Sequence, residues 1–180
     1  MNFINSVKSG FTNYANFKGV AGKAEYWYFV LFIFLVNILL SFIDNFDESG
    51  IISTAVSLAL LLPSLSVLYR RLRDAGRSPL WFWGSLVSGL VFVILIIGLI
   101  VYLFTSGLIN ALMTDPSQIT DDTIEQWFAD PTGSVVFFMA LISGLIAAIL
   151  NILVSIVFCL QPSKTAEQGN KYVLPENPTI

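Results

Sequence analysis

Long runs of apolar residues, separated by short polar segments, dominate the chain. Each run lacks charged residues and approaches or exceeds the ~20 helical positions needed to cross a hydrocarbon core of about 30 Å. Because a backbone in lipid must satisfy its own hydrogen bonds, and because barrel-like alternation is absent, these runs are predicted to be helices. The predicted spans are residues 26–43, 51–69, 80–104 and 134–160. The pattern indicates an all-α polytopic membrane protein, a four-transmembrane-helix bundle.

The segments between the spans are short, so one membrane domain is predicted over residues 1–180. In the first segment, residues 1–25, Phe3, Ile4, Val7 and Phe11 recur at helical spacing. This spacing predicts an amphipathic helix that lies on the inner membrane surface. Residues 105–133 form a predicted outer loop with a short helix in it, and residues 161–180 a predicted irregular cytoplasmic tail.

Charge is scarce and is sorted by segment. The chain is 56% hydrophobic and 12% charged, with a net charge of −3. All nine basic residues lie before the first span, between spans two and three, or after span four, whereas the other two links hold only acids. Because Lys and Arg are retained on the cytoplasmic side and the number of spans is even, both termini are predicted to be cytoplasmic.

Few side chains are available for catalysis. The chain has no histidine and one cysteine, Cys159, which argues against histidine-dependent triads, zinc sites and disulfides. No carboxylate lies inside a predicted span, so the spans offer no acidic side chain that could relay protons. We therefore expect no enzyme activity, no catalytic residue, no metal site and no cofactor, and nothing indicates a nucleic-acid partner.

Three motif blocks run from one end of the chain to the other: GKAEYWYF from residue 22, LLPSLSVLYRRLRDAGRSPLWF from residue 61, and GNKYVLP from residue 169. Together they make the chain resemble the domain-of-unknown-function 805 family of small bacterial inner-membrane proteins. The chain differs from that family's usual pattern at Arg73, which replaces a histidine, at Val20 and at Val173. The resemblance implies a fold and a location, but no reaction.

Every arginine lies in the second block, although lysine would serve equally well as a topology signal. Arginine is preferred where a planar fork binds phosphate or carboxylate. If the second span continues as helix past Tyr69, Arg71 is expected to turn away from the face that carries the other charged residues of the block. We predict an inner-face pocket that binds anionic membrane lipid or a membrane partner through Arg70, Arg71, Arg73, Asp74, Arg77, Glu25, Asn170, Lys171 and Tyr172.

Three alternatives stay open. The loop could only anchor topology and pair internally with Glu25 and Asp74. The partner could be another inner-membrane protein or a second copy of the chain. Finally, the protein could be a small transporter or channel subunit, if Asn37, Asn151 and the serines of the spans lined a polar route.

Overall fold

The computed structural model describes residues 1–45, 49–106 and 120–173, and is helical with no strand in those ranges. The helices are α1 (Phe3–Thr12), α2 (Lys23–Asp44), α3 (Ile51–Asp74), α4 (Leu80–Thr105), α5 (Asp121–Ala129) and α6 (Pro131–Ile152), the last of which continues as a π-helical segment, Leu153–Phe158. The predicted structure of loop residues 107–119 and tail residues 174–180 lies outside the described residues, as do Asp47 and Glu48.

Four of these elements are long and apolar enough to span a membrane: α2, α3, α4 and the continuous helix Pro131–Phe158. They contain 22, 24, 26 and 28 residues, and at 1.5 Å per residue each exceeds about 30 Å. The all-α membrane-protein prediction is confirmed. The chain divides into two compact units, Met1–Phe82 with Leu153–Ile180, and Trp83–Ile152.

Two helices extend beyond the apolar spans predicted for them. The second span was predicted over residues 51–69 with a possible helical continuation past Tyr69, and α3 does continue, to Asp74. Charged residues mark where the apolar run ends, and a helix can extend beyond that point when its charges find partners. The fourth apolar helix begins at Pro131, three residues earlier than predicted, because Asp130 caps it: the Asp130 carboxylate accepts a hydrogen bond from Gly133 N at 3.1 Å.

In the first unit, α1 packs against α2 and α3. The contact depends on Gly10, since a Cβ at this position would lie 2.3 Å from Cε2 of Phe29. Phe11 adds edge-to-face contacts with Phe29 and Phe32, with ring centroids 6.1 and 5.7 Å apart. The predicted N-terminal helix is therefore present and docked on the protein, and its position on a membrane surface stays a prediction.

Pro63 lies inside α3 and cannot donate a backbone hydrogen bond to the carbonyl of Ala59, four residues earlier. The Tyr14 hydroxyl donates to that carbonyl instead. One turn further on, Ser66 Oγ donates to the carbonyl of Asn13 at 2.9 Å. The segment after α1 thus bonds α3 where proline has opened its hydrogen-bond ladder.

The π-helical segment also offers carbonyls to other elements of its unit. Tyr26 donates its hydroxyl to Ser155 O at 2.9 Å, and Trp27 Nε1 donates to Cys159 O at 3.4 Å. Tyr26 and Cys159 are buried together with Phe29 and Val67 in the core of this unit. A π-bulge widens the helix and displaces carbonyls from the i to i−4 pattern, and nothing in the sequence predicted it.

In the second unit, small residues of α6 contact aromatic rings of α4. A Cβ at Gly144 would lie 2.7 Å from Cε2 of Phe92, and a Cβ at Gly133 would lie 2.7 Å from the Tyr102 ring. Tyr102 donates its hydroxyl to the Asp130 carboxylate. The short helix predicted in the outer loop is present as α5, and Phe128 on it packs against Phe137 of α6 with ring centroids 5.7 Å apart.

Candidate functional site: the basic end of the first unit

The end of α3 brings the three motif blocks together. We call this region the basic end: residues 13–25, the last two turns of α3, the 75–79 turn and residues 158–173. Arg70 contacts Glu25 of the first block, and Asn170 of the third block bonds the last carbonyls of α3. The resemblance between the blocks and one family therefore corresponds to a single cluster in space.

Arg71 is the most completely bonded side chain of this cluster. It is 0% exposed, and its guanidinium makes five hydrogen bonds. Nε and Nη2 donate to Cys159 O at 3.2 and 3.1 Å, Nη2 also donates to Gln161 O, and Nη1 donates to the Asp74 carboxylate and, at 3.4 Å, to Ser163 Oγ. Because a guanidinium carries five N–H groups and an ammonium three, lysine could not make this set.

The sequence expectations about these arginines hold only in part. Arg71 lies apart from Arg70 and Arg73, as expected, but it shares its side of α3 with Asp74 and joins α3 to the chain that follows the π-helical segment. Arg70, Arg71, Arg73 and Asp74 lie in a helix and not in a loop. The acceptors of Arg71 are mostly backbone carbonyls of residues 159 and 161, which lie at the end of a helix, where carbonyls lack helical partners. Backbone acceptors leave no side-chain pattern from which they could be predicted.

Arg70 bridges α3 to α2. Its Nη1 donates to Glu25 Oε1 at 3.2 Å, and both side chains are over nine-tenths buried. Ser9 Oγ of α1 donates to the same carboxylate oxygen at 2.8 Å. Removing one partner of such a buried pair leaves an uncompensated charge, which costs about 3–5 kcal/mol. Glu25 and Asp74 thus each pair with an arginine of α3, Glu25 with Arg70 and Asp74 with Arg71.

Arg73 and Arg77 are half-buried and each lies over an aromatic ring. Arg73 donates to Phe17 O at 3.0 Å, and its Cζ lies 5.0 Å from the centroid of the Tyr172 ring. Arg77 donates to the Gln161 side chain at 2.8 Å and lies 4.7 Å from the Phe158 centroid. Cation–π contacts of this kind contribute about 0.5–1 kcal/mol where solvent is accessible.

The end of α3 is capped by the turn and the tail together. Gly76 has a positive φ of 68°, Arg77 N donates to Leu72 O at 2.9 Å, and Gly76 N donates to Arg73 O at 3.0 Å. This is a Schellman cap, which confirms that Gly76 ends the helix. Asn170 Nδ2 then donates to Arg73 O at 2.9 Å and Asp74 O at 3.1 Å.

The nine predicted binding residues therefore divide into two groups. Glu25, Arg70, Arg71, Asp74 and Asn170 are buried and bonded to other parts of the protein. Arg73, Arg77, Lys171 and Tyr172 retain accessible surface, and Lys171 Nζ lies 5.4 Å from the Tyr172 ring centroid. Whether either group binds a ligand stays a prediction. Among the described residues, no three His, Cys, Asp or Glu side chains are grouped as they would be around a metal ion.

Residues 14–117 match the family described as "Protein of unknown function (DUF805)". Two relatives from Escherichia coli strain K12 are similar to the chain. "Inner membrane protein YhaH" is 33% identical over 91 residues, which are 47% of this chain and 75% of the relative. "Inner membrane protein YhaI" is 34% identical over 100 residues, which are 53% of this chain and 79% of the relative. No solved structure matches the chain.

The family match begins at Tyr14, which bonds the carbonyl left free by Pro63, and it includes Glu25 and all four arginines. It covers more than half of the chain and includes the Arg70–Glu25 pair, whereas the third motif block, from residue 169, lies outside it. The protein is a member of the DUF805 family of membrane proteins of unknown function.

Proposed function

We propose that this protein is a non-enzymatic inner-membrane component whose basic end binds anionic phospholipid. Its relatives are named inner membrane proteins, and all nine of its basic residues belong to the first unit. With both termini in the cytoplasm, the basic end would face the anionic lipids of the inner leaflet.

The proposal is carried by the way lysines and arginines are sorted. Arginines are buried or half-buried, whereas every lysine is exposed: Lys8, Lys18, Lys23, Lys164 and Lys171. The carboxylates of Glu25 and Asp74 are buried against Arg70 and Arg71. Glu167 is the exposed carboxylate among residues 158–173 of the basic end. The exposed charge is therefore positive, and a lysine near an anionic membrane surface contributes about 1 kcal/mol.

The arginines have a different role in this proposal. Arg70 and Arg71 hold α2, α3 and the tail together, while the lysines contact the headgroups. Arg73 and Arg77 contribute to both roles, because each keeps accessible surface beside its internal partners. Lysine suits a mobile surface contact, since its ammonium is a compact charge on a flexible stem.

A transporter or channel subunit is the second candidate. One observation favours it: a cavity of about 410 Å³ between α2, α3 and the π-helical segment, with Asn37, Ser64 and Ser155 in its wall. Two of these polar groups bond their own helix, since Asn37 Nδ2 donates to Ile33 O at 2.8 Å and Ser64 Oγ donates to Leu60 O at 2.6 Å. Solute flux into liposomes that contain purified protein would favour this candidate.

The lipid proposal can be tested by measuring lipid enrichment. The purified protein is reconstituted in nanodiscs of mixed phosphatidylglycerol and phosphatidylcholine, re-extracted in mild detergent, and the lipids that stay bound are identified by mass spectrometry. The wild type should retain phosphatidylglycerol above its bulk fraction. Replacing Lys18, Lys23, Lys164 and Lys171 with Gln should bring the retained fraction close to the bulk value.

The matched control replaces the same four lysines with Arg, which keeps the charge, and should retain the wild-type enrichment. Equal phosphatidylglycerol retention by the wild type and the Gln variant would contradict the proposal. A wild type that retains both lipids in their bulk ratio would contradict it as well.

A further inference from the structure

The last two turns of α3 carry two faces that differ in their hydrogen bonding. On the tail face, the Arg71 guanidinium is fully bonded. On the linker face, which is covered by residues 13–22, three guanidinium nitrogens are buried without a partner: Arg70 Nε, Arg70 Nη2 and Arg73 Nε. Arg70 is 4% exposed, so bulk water does not compensate these groups.

A buried donor without an acceptor is destabilising, and more so when the donor is charged. Arg70 and Arg73 are three residues apart and so lie on adjacent turns of one helix face. The three nitrogens of these two guanidinium groups are buried and lack a partner. Carboxylate and phosphate oxygens both match such a fork, and an anionic membrane surface supplies phosphate.

The charge of the linker face has the sign that an anion requires. Glu25 balances Arg70 at 3.2 Å, but within the part of the chain that the structure describes no carboxylate lies within 4.0 Å of Arg73. The nearest group that Arg73 bonds is the neutral carbonyl of Phe17. The two arginines and one carboxylate leave one positive charge, which suits a singly charged phosphodiester or inorganic phosphate.

We infer that the linker face is a phosphate-binding site in which Arg70 and Arg73 bind the phosphoryl oxygens beneath residues 13–22. This inference rests on the proposed function, because it names the headgroup chemistry that the basic end selects. The covering segment borders open space, since Cβ atoms placed on Gly19 and Gly22 would meet nothing within 4 Å. Asn16, Lys18 and Gly19 are exposed in the same segment.

The phosphate could belong to a phospholipid or be free in solution. The cavity between α2 and α3 distinguishes these two ligands, because only a phospholipid would use it. Its lining includes Phe29 and Val67, which lie one helical turn further along α2 and α3 from Glu25 and Arg70. A phospholipid bound at the arginines would therefore have an apolar space of about 410 Å³ for an acyl chain directly beyond the ion pair. Free phosphate would make no use of this space.

The experiment is a calorimetric titration of the full-length protein in uncharged detergent. The probes are inorganic phosphate and, separately, monomeric short-chain phosphatidylglycerol. Saturable one-to-one binding of at least one probe is expected. Arg73→Gln should weaken that binding about tenfold or more, because one charged fork is lost. Glu167→Gln, in the exposed tail, should change it less than twofold, because Glu167 is not part of the linker face.

Arg73→Lys keeps the inference testable if Arg73→Gln fails to fold, because it preserves the charge at a half-buried position. Losing the planar fork should still weaken phosphate binding several-fold, and unchanged binding by the folded Arg73→Lys protein would contradict the role of Arg73. Val30→Trp projects a larger side chain into the cavity. If the natural ligand is a lipid, this substitution should weaken phosphatidylglycerol binding and leave the binding of inorganic phosphate unchanged. If the binding of both probes is unchanged, the site is assigned to free phosphate.

Absence of saturable binding by either probe would overturn the inference. The three buried donors would then be assigned to hydrogen bonds with buried water. The lysine-dependent enrichment of phosphatidylglycerol could then still be observed, so the proposed function would survive. Conversely, saturable phosphate binding without lipid enrichment would refute the proposed function and keep an Arg70–Arg73 site for free phosphate.

Discussion

At the scale of single residues, the identity of each basic side chain follows from its surroundings. Arg71 donates to two backbone carbonyls and to a carboxylate at the same time, which needs a planar group with several N–H donors. The lysines make no comparable set of bonds and are exposed. Positive charge alone would explain the position of these residues in the chain, but only the hydrogen bonds explain why arginine and lysine occupy different positions.

Arg71→Lys should therefore be strongly destabilising even though it preserves the charge. An ammonium cannot reach Cys159 O, Gln161 O and the Asp74 carboxylate together, so buried acceptors are left without donors. We expect a loss of about 2–4 kcal/mol in the free energy of unfolding, measured by denaturant titration in mixed micelles. Arg77→Lys, at a half-buried arginine with one hydrogen bond, is the control and should cost less than half as much. Equal losses of unfolding free energy in Arg71→Lys and Arg77→Lys would show that the charge of Arg71, and not its set of hydrogen bonds, stabilises the protein.

At the scale of secondary structure elements, hydrogen bonds interrupted in one helix are completed by another segment. Pro63 leaves Ala59 O without its backbone donor, and the Tyr14 hydroxyl supplies one. The two residues are 49 positions apart in the chain, yet both lie within residues 14–117, which match the family. Their joint presence therefore has a direct physical cause.

A double-mutant cycle tests this pairing. Tyr14→Phe removes the hydroxyl and should cost about 1 kcal/mol in the free energy of unfolding. In a Pro63→Ala background the restored backbone N–H can take Ala59 O, so the same Tyr14→Phe substitution should cost little. Denaturant unfolding of the wild type, both single variants and the double variant gives the coupling energy. An additive result would exclude the pairing.

The start of α6 depends on an ionised side chain. Hydrogen bonds from the Tyr102 hydroxyl and from the backbone N–H of Gly133 lower the pKa of Asp130 below its usual value of 3.8. A carboxyl with a lower pKa in the folded state stabilises the protein above its unfolded pKa, and this contribution is lost as the pH falls through the folded pKa. The stabilising contribution of Asp130 should thus be complete above about pH 5 and decline below pH 4.

Thermal unfolding of wild type and Asp130→Asn between pH 6 and pH 3 measures this contribution. Asn still caps the helix but does not titrate, so the difference in midpoint between the two proteins should shrink as the pH falls. Glu167→Gln, in the exposed tail, is the control for general effects of charge removal. A midpoint difference that is constant over the whole range would contradict the assignment to Asp130.

At the scale of the whole molecule, all nine basic residues belong to one unit, and the other unit has none. If the basic end faces the cytoplasm, Lys171 lies inside the cell and Glu125 lies outside. A membrane-impermeant maleimide applied to intact cells should therefore label Glu125→Cys and leave Lys171→Cys unlabelled until the cells are opened. The native Cys159 is fully buried and does not compete. The opposite labelling pattern would contradict the proposed orientation.

The sequence by itself determined the class of the protein and the positions of its long helices. Apolar runs of this length form helices in lipid whatever their partners are, because a backbone without water must bond to itself. The end of α3 at Gly76 was predictable for a similar reason, since a glycine that adopts positive φ is a local property of the chain.

Only the tertiary structure decided what the charged residues do. Arg71 bonds backbone carbonyls more than 80 residues away in the chain, at the end of the helix that contains the π-helical segment, and backbone acceptors leave no mark in a side-chain pattern. The docking of α1 depends on Gly10 meeting Phe29, although glycine lowers intrinsic helix stability. Such contacts join positions that are distant in the chain, so only folding brings them together.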